Sequence, residues 1–178
     1  KELEILYHRC NPFTLNSKFW EKELAIPYGE TPYATIDQIV KIGNINHSDV
    51  VLDVGSGRGV ALFYLHYLTG CTGTGLEANP FFIDQAKTLS IKYSVPLDWM
   101  LRFIESPMPE LSKFSVVYYY ATAAKPTTFE AFEKNLGYLR KGALLILVTQ
   151  ELSKDSKKYF TLESENILKF PWGKTSVY

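Results

Sequence analysis

Apolar positions along the chain follow two periods. Short runs rich in apolar residues at 50–54, 115–120 and 143–148 are separated by stretches whose apolar residues recur every three or four positions. Such runs suit strands covered on both faces, and the stretches between suit helices packed over them. Strands are predicted at 50–54, 72–76, 99–104, 115–120 and 143–148. Helices are predicted at 3–9 and roughly 15–24, with Asn11-Pro12 as the break. Another follows Thr31-Pro32, read as cap and first helical position, with Ile36, Ile39, Val40 and Gly43 at core spacing. The 58–69 helix places Val60, Ala61, Tyr64, Leu65 and Leu68 on its apolar face and stops at Gly70.

Asn79-Pro80 repeats the cap-plus-proline signal ahead of Ile83, Ala86 and Leu89. The proline-broken segment 107–113 has room for only a turn or two of helix. Thr127-x-x-Glu130 reads as a capping box before a stripe of Phe129, Phe132, Leu136 and Leu139, closed by Lys141-Gly142. The tail 167–178 suits an antiparallel pair around Pro171-Trp172-Gly173. Strands alternating with helices, then such a pair, predict an α/β, doubly wound, mostly parallel sheet.

Composition narrows the picture. A chain of 178 residues, 46% hydrophobic, fits a single domain over 1–178, with 1–27 a helical extension of a core at 28–178. Nineteen basic residues balance nineteen acidic ones, so nucleic acid is not an expected partner. Lys154, Lys157 and Lys158 form the one basic cluster, diluted by Asp155 and read as a solvated loop. Cys10 and Cys71 have no metal-ligand spacing, Cys71 reads as a small buried residue, and a reduced, cytoplasmic setting follows. His8, His47 and His66 are scattered, so no metal site is expected. No apolar run is long enough to span a membrane. The sequence opens on Lys1 and closes at Tyr178 in a predicted strand, which leaves room for segments beyond either end.

Chemistry concentrates where the first strand ends. Asp53-Val54-Gly55-Ser56-Gly57-Arg58-Gly59 runs from that strand into a helix. Gly55 and Gly57 lack Cβ atoms, so the backbone can turn sharply and a ligand can approach its amides. Glu77 ends the second strand, about 20 residues on, where a βαβ nucleotide site places its ribose ligand. A dinucleotide fingerprint wants its third glycine at position 60, but Val60 stands there and the glycine falls at Gly59. A plain glycine turn with no ligand is the alternative reading of the same residues.

This D-x-G-x-G-x-G pattern resembles the first motif of class I, S-adenosylmethionine (SAM) dependent methyltransferases. The resemblance implies a seven-stranded Rossmann-like α/β/α sandwich, SAM as cofactor, and cofactor roles for Asp53, Gly55, Ser56, Gly57, Glu77 and Ala78. Phe103-Ile104-Glu105-Ser106 is similar to the family's third-strand segment and implies Ile104 beside the adenine and Glu105 on its amino group. Otherwise Glu105 is an exposed loop acid. Leu139-Arg140-Lys141-Gly142-Ala143 resembles the family's turn into strand five, with lysine for proline and alanine for the last glycine. Pro27-Tyr28-Gly29-Glu30-Thr31-Pro32-Tyr33, the 129–148 helix and strand, and residues 170–178 are similar to one branch. That branch comprises the ATP-synthase c-subunit and non-SET histone lysine methyltransferases.

The branch resemblance implies a protein lysine as methyl acceptor. Tyr120, last of three tyrosines ending strand four, then reads as a pocket wall, with Tyr28 and Glu30 as a lid. Strand alternation puts Tyr118 and Tyr120 on one face and Tyr119 on the other. Packing roles for the tyrosines, and a favourable charge near a helix start for Glu30, remain the alternatives. The Asn/Asp-Pro-Pro-Tyr motif of amide methylation is missing, Tyr120-Ala121-Thr122-Ala123 standing in its place. Carboxylates for a magnesium-dependent catechol site do not follow strand four either. A small-molecule acceptor, a SAM-binding module without turnover, and an NAD-dependent oxidoreductase complete the alternatives.

Overall fold

The structure, a computed structural model, describes residues 29–170 and 173–178. The helices expected at 3–9 and 15–24, Tyr28, and Pro171-Trp172 lie outside the described residues. One sheet holds β1 (Val50–Val54), β2 (Thr72–Glu77), β3 (Leu97–Leu101), β4 (Val116–Tyr120), β5 (Leu144–Val148), β6 (Asn166–Phe170) and β7 (Gly173–Val177). The described α-helices are α1 (Tyr33–Ile42), α2 (Val60–Thr69), α3 (Pro80–Tyr93), α4 (Pro126–Asn135) and the single turn α5 (Lys154–Lys157). Strand order is β3-β2-β1-β4-β5-β7-β6. Pairing is parallel from β3 to β5, and β7 runs antiparallel to both neighbours. The doubly wound sheet with its terminal pair is therefore present. Order reverses between β1 and β4, which opens a crevice beyond their carboxyl ends.

Strand alternation divides the core in two. Val51, Tyr118 and Ile146 face α1 and α2, where Ile36, Ile39, Leu62, Phe63 and Leu65 complete one buried cluster. Leu52, Val54, Val117, Tyr119 and Leu147 face Phe129, Phe132 and Leu136 on the other side. Tyr119 packs edge-on against Phe132, ring centroids 4.7 Å apart, while Tyr120 stacks on Phe170 of β6 at 5.4 Å. The expected opposition of Tyr119 to its neighbours is thus observed.

Several boundaries move, each for a local reason. α2 starts at Val60 rather than residue 58, because Gly59 holds a left-handed φ of 88° at the cap. Its buried face contains Leu62 and Phe63, whereas Leu68 is 38% exposed, since α2 packs against both the sheet and α1. β3 lies at 97–101 and not 99–104, because its partner β2 ends at Glu77, in register with Leu101. β4 and β5 each begin one residue later than expected, at Val116 and Leu144.

Thr31 does not cap α1, which starts at Tyr33; its hydroxyl shares a hydrogen bond with that of Tyr118 instead. The Thr127 capping box does not form either: α4 starts at Pro126, so Thr127 already sits inside the first turn. Asn79 does cap α3, accepting from the Phe81 amide at 3.0 Å. The lysine cluster forms a one-turn helix rather than a loop, with Lys158 on Asp155 at 2.7 Å and Lys157 on Glu151.

The α4 side is thinly covered. The β3–β4 crossover carries only a 3-10 helix, Pro109–Lys113, and the β5–β6 crossover only α5. Beside the 3-10 helix lies a hollow of about 400 Å³ lined by Val50, Thr74, Asp98, Trp99, Met100, Glu110, Lys113 and Phe114. The closing hairpin is held at its base. Leu147 and Tyr178 exchange two bonds of 2.9 Å, and the Thr149 amide donates to Ser176 at 3.1 Å. Because β7 is antiparallel, its earlier residues run on past the carboxyl end of β5. No helix among the described residues is long and apolar enough to cross a membrane.

Trp99 wedges its indole beneath the start of α2. A Cβ on Gly75 would fall 2.4 Å from this ring, and one on Gly59 would fall 2.2 Å from it. Its Nε1 is anchored by donating to Ser90 Oγ at 2.8 Å. Gly75→Ala is therefore expected to destabilise the fold by about 1–3 kcal/mol, the usual overpacking cost. Gly137→Ala, whose Cβ would meet nothing within 4 Å, serves as control and should be neutral. Urea denaturation of both variants checks this; equal shifts would refute the wedge.

Candidate functional site

The crevice between β1 and β4 is floored by the glycine loop. Buried strand β1 delivers Asp53 in register with Gly75 of β2 and Tyr118 of β4. The backbone then turns through Gly55 and Gly57, with φ of 70° and 54°, conformations that side-chain-bearing residues rarely adopt. Amides of Gly55 and Ser56 donate to the Leu76 carbonyl at 2.8 and 3.0 Å, tying the loop to the end of β2. A Cβ on Gly55 would meet nothing within 4 Å, so open space lies over it.

Glu77 joins the ends of β1 and β2. Its Oε2 accepts from the Gly57 amide at 2.9 Å. Its Oε1 accepts from the Ala78 and Asn79 amides, each at 2.8 Å. Three backbone donors thus orient the carboxylate, and of its roughly four acceptor positions one remains, on Oε2.

Asp53 and Ser56 are the anomalies. Both are buried, at 3% and 8% exposure. Asp53 Oδ2 and Ser56 Oγ have no hydrogen-bond partner among the described residues. An orphaned buried polar atom costs on the order of 1–3 kcal/mol, so a pair beside one loop suits a site that a polar ligand completes. Burial first, and the nearby Glu77 charge second, push Asp53 up to about 7.

The segment entering α1 closes one side. Arg58 Nε donates to Glu30 Oε1 at 2.7 Å, and the guanidinium is almost wholly buried. Burial raises the Tyr118 hydroxyl far above its ordinary range, and pushes Tyr120 up to about 12. Both therefore stay protonated near neutral pH. Glu30 and Tyr120 so lie on elements that border the crevice, while Tyr28 lies outside the described residues.

Ile104 and Glu105 follow β3. Ile104 is buried; Glu105 is exposed and accepts from the Thr128 hydroxyl at 2.9 Å. Their loop is pinned by Asn135, whose Nδ2 donates to the carbonyls of Ile104 and Ser106 at 2.7 and 3.1 Å. Asn135 Oδ1 accepts from the Met108 amide at 2.8 Å. The sequence assigned no site role to Asn135, Arg58, Thr31 or Trp99. A polar Asn135 amid the apolar stripe of α4 was the one available signal. Among the described residues, no group of histidine, cysteine, aspartate or glutamate is arranged to hold a metal.

No protein-family model matches this sequence, and no curated protein matches it. Solved structures do. An RNA methyltransferase from Salinibacter ruber, in complex with S-adenosyl-L-homocysteine, superposes with a TM-score of 0.66 at 19% identity. That match covers 83% of this chain and 90% of the other. The PH0226 protein from Pyrococcus horikoshii OT3 gives a TM-score of 0.66 at 15% identity, over 97% of this chain and 96% of that one. A SAM-dependent methyltransferase from Geobacter sulfurreducens, also with S-adenosyl-L-homocysteine, gives 0.54 at 17%, over 78% and 58%. The chain has the seven-stranded, Rossmann-like fold of the Salinibacter and Geobacter methyltransferases.

Proposed function

We propose that this chain is a SAM-dependent methyltransferase acting on a protein lysine side chain. The observation that carries the cofactor reading is the buried pair of partnerless atoms, Asp53 Oδ2 and Ser56 Oγ, beside an open glycine loop. Similarity of fold to proteins crystallised with S-adenosyl-L-homocysteine supports it. In this reading Asp53, Gly55, Ser56 and Gly57 hold the methionyl part, and Glu77 with Ala78 the ribose. Oε2 of Glu77 offers its remaining acceptor position there. Ile104 packs beside the adenine, and Glu105 takes its amino group. Trp99 fills the positions a Cβ would need at Gly59 and Gly75, so the third glycine serves packing rather than a dinucleotide.

Bound SAM supplies an activated methyl on a sulfonium, ready for in-line displacement. The protein then needs chiefly to align the acceptor, and alignment alone is worth roughly 7–11 kcal/mol. A lysine amine is mostly charged at neutral pH, with a reference pKa of about 10.4, and must lose a proton first. The aromatic wall of Tyr120, backed by buried Phe170, disfavours the charged amine by withholding water. Tyr120 keeps its own proton and so acts as wall and hydroxyl donor, not as base. Glu30, paired with Arg58, serves as a lid over cofactor and acceptor, a role this reading also gives to Tyr28. A cytoplasmic setting, in which the buried free thiol of Cys71 stays reduced, belongs to the same reading.

Calorimetry with SAM, S-adenosylhomocysteine and NAD tests the cofactor. Saturable SAM binding is expected, weakened about ten- to hundredfold in Glu77→Ala by loss of a charged hydrogen-bond acceptor. Binding of NAD alone would replace this reading with an oxidoreductase. Incubation with methyl-labelled SAM and a cell lysate then tests the acceptor, with label expected in protein bands and stable to base, as methylated amines are. Label in small molecules or RNA overturns the lysine acceptor, and no transfer indicates a binding module.

A further inference from the structure

Asp53 is oddly placed for a permanent anion. It sits on a central strand between Gly75 and Tyr118, is 3% exposed, and leaves Oδ2 without a partner among the described residues. The groups around it do not offset a charge. From β2 comes another carboxylate, Glu77. β4 contributes the neutral hydroxyl of Tyr118, already bonded to that of Thr31. In the glycine loop, Ser56 is neutral and Arg58 directs its Nε to Glu30 on the segment before α1. On α1 itself the acid is Asp37, which accepts from Tyr64 at 3.1 Å. The first turn of α2, residues 60–63, is wholly apolar.

We propose that Asp53 is a charge-sensing specificity residue: its carboxyl keeps a proton while the pocket is empty or holds the thioether product, and releases it when the sulfonium cofactor binds. This rests on the SAM reading above. SAM carries a sulfonium and an ammonium against one carboxylate, whereas S-adenosylhomocysteine has lost the sulfonium charge. The two ligands therefore differ by one positive charge, and a buried carboxyl whose nearest charged neighbour is another carboxylate is a group able to register it. On cofactor binding the Asp53 O–H bond breaks, the proton goes to solvent, and the carboxylate faces a net cation. After transfer that cation is gone, and the proton returns. Exchange of product for fresh cofactor is then also an exchange of one proton.

Burial and Glu77 set the empty-site value near 7, so the effect falls within the physiological range. Its direction on stability follows. With a folded value raised above the usual 3.8, Asp53 favours the empty protein most below that pH, and the advantage is lost as pH rises through about 7.

Calorimetry of the full chain in buffers of different ionisation enthalpy counts the protons. For SAM, release close to one proton at about pH 6, and affinity about tenfold higher near pH 8 than near pH 6, is expected. S-adenosylhomocysteine should show a smaller release and a flatter profile. In Asp53→Asn the SAM profile should flatten, and the decline in melting temperature of the empty protein between about pH 4 and 7 should disappear. Carbon-13 titration of aspartate-labelled, empty wild type gives the same answer without any variant: one carboxyl should titrate near 7. SAM binding with no proton release and no pH dependence overturns this inference and leaves the cofactor reading intact. No SAM binding at any pH overturns both.

Discussion

The glycine-loop side of the candidate site hangs from one carboxylate. Glu77 accepts three backbone amides, one from the glycine loop after β1 and two from its own turn after β2. These bonds lock the loop against the neighbouring strand end, at the point where strand order reverses. Charged acceptors make hydrogen bonds worth roughly twice neutral ones, so the loop is fixed more firmly than its glycines suggest. Gly55 and Gly57 supply left-handed backbone that turns the chain; Glu77 decides where the turned chain stops. The cluster that includes Asp53, Ser56 and the Leu76 carbonyl follows from that placement.

Support comes from beneath as well. Trp99 crosses under β2 and the start of α2, occupying volume that Gly59 and Gly75 leave open, and Ser90 on α3 holds its ring nitrogen. The loop is thus clamped between a carboxylate at its tip and an indole at its root. On the far side, Asn135 bridges two carbonyls and an amide of the 104–108 loop. Rigid backbone positions the site, and side chains from distant segments hold that backbone.

Period-two and period-3.6 patterns revealed the sheet, its helices and the glycine loop because those are local signals. Val50–Val54 and Asp53 through Gly59 can be read without knowing what packs on them. Boundaries failed where a partner decided them: β3 ends with Glu77, a fact of β2 rather than of β3. Caps failed similarly. Thr31 had a better partner, Tyr118, far along the chain, and Thr127 fell inside a helix that already begins at Pro126. Arg58 and Glu30 form an ion pair that no spacing rule foresees, since it joins a loop to a segment two elements upstream.

The terminal hairpin has a different standing from the rest of the sheet. It is stitched to β5 near its base only, yet it carries Phe170 against Tyr120 and overhangs the sheet's upper edge. In the proposed reading, the grip on the nucleoside resides in the parallel half, and buried Phe170 of this appended half backs the Tyr120 wall. Sequence change in the overhang can, in the proposed reading, redirect choice of acceptor while the parallel half keeps its ligand. In that reading, recognition of what is modified is separable from possession of the donor.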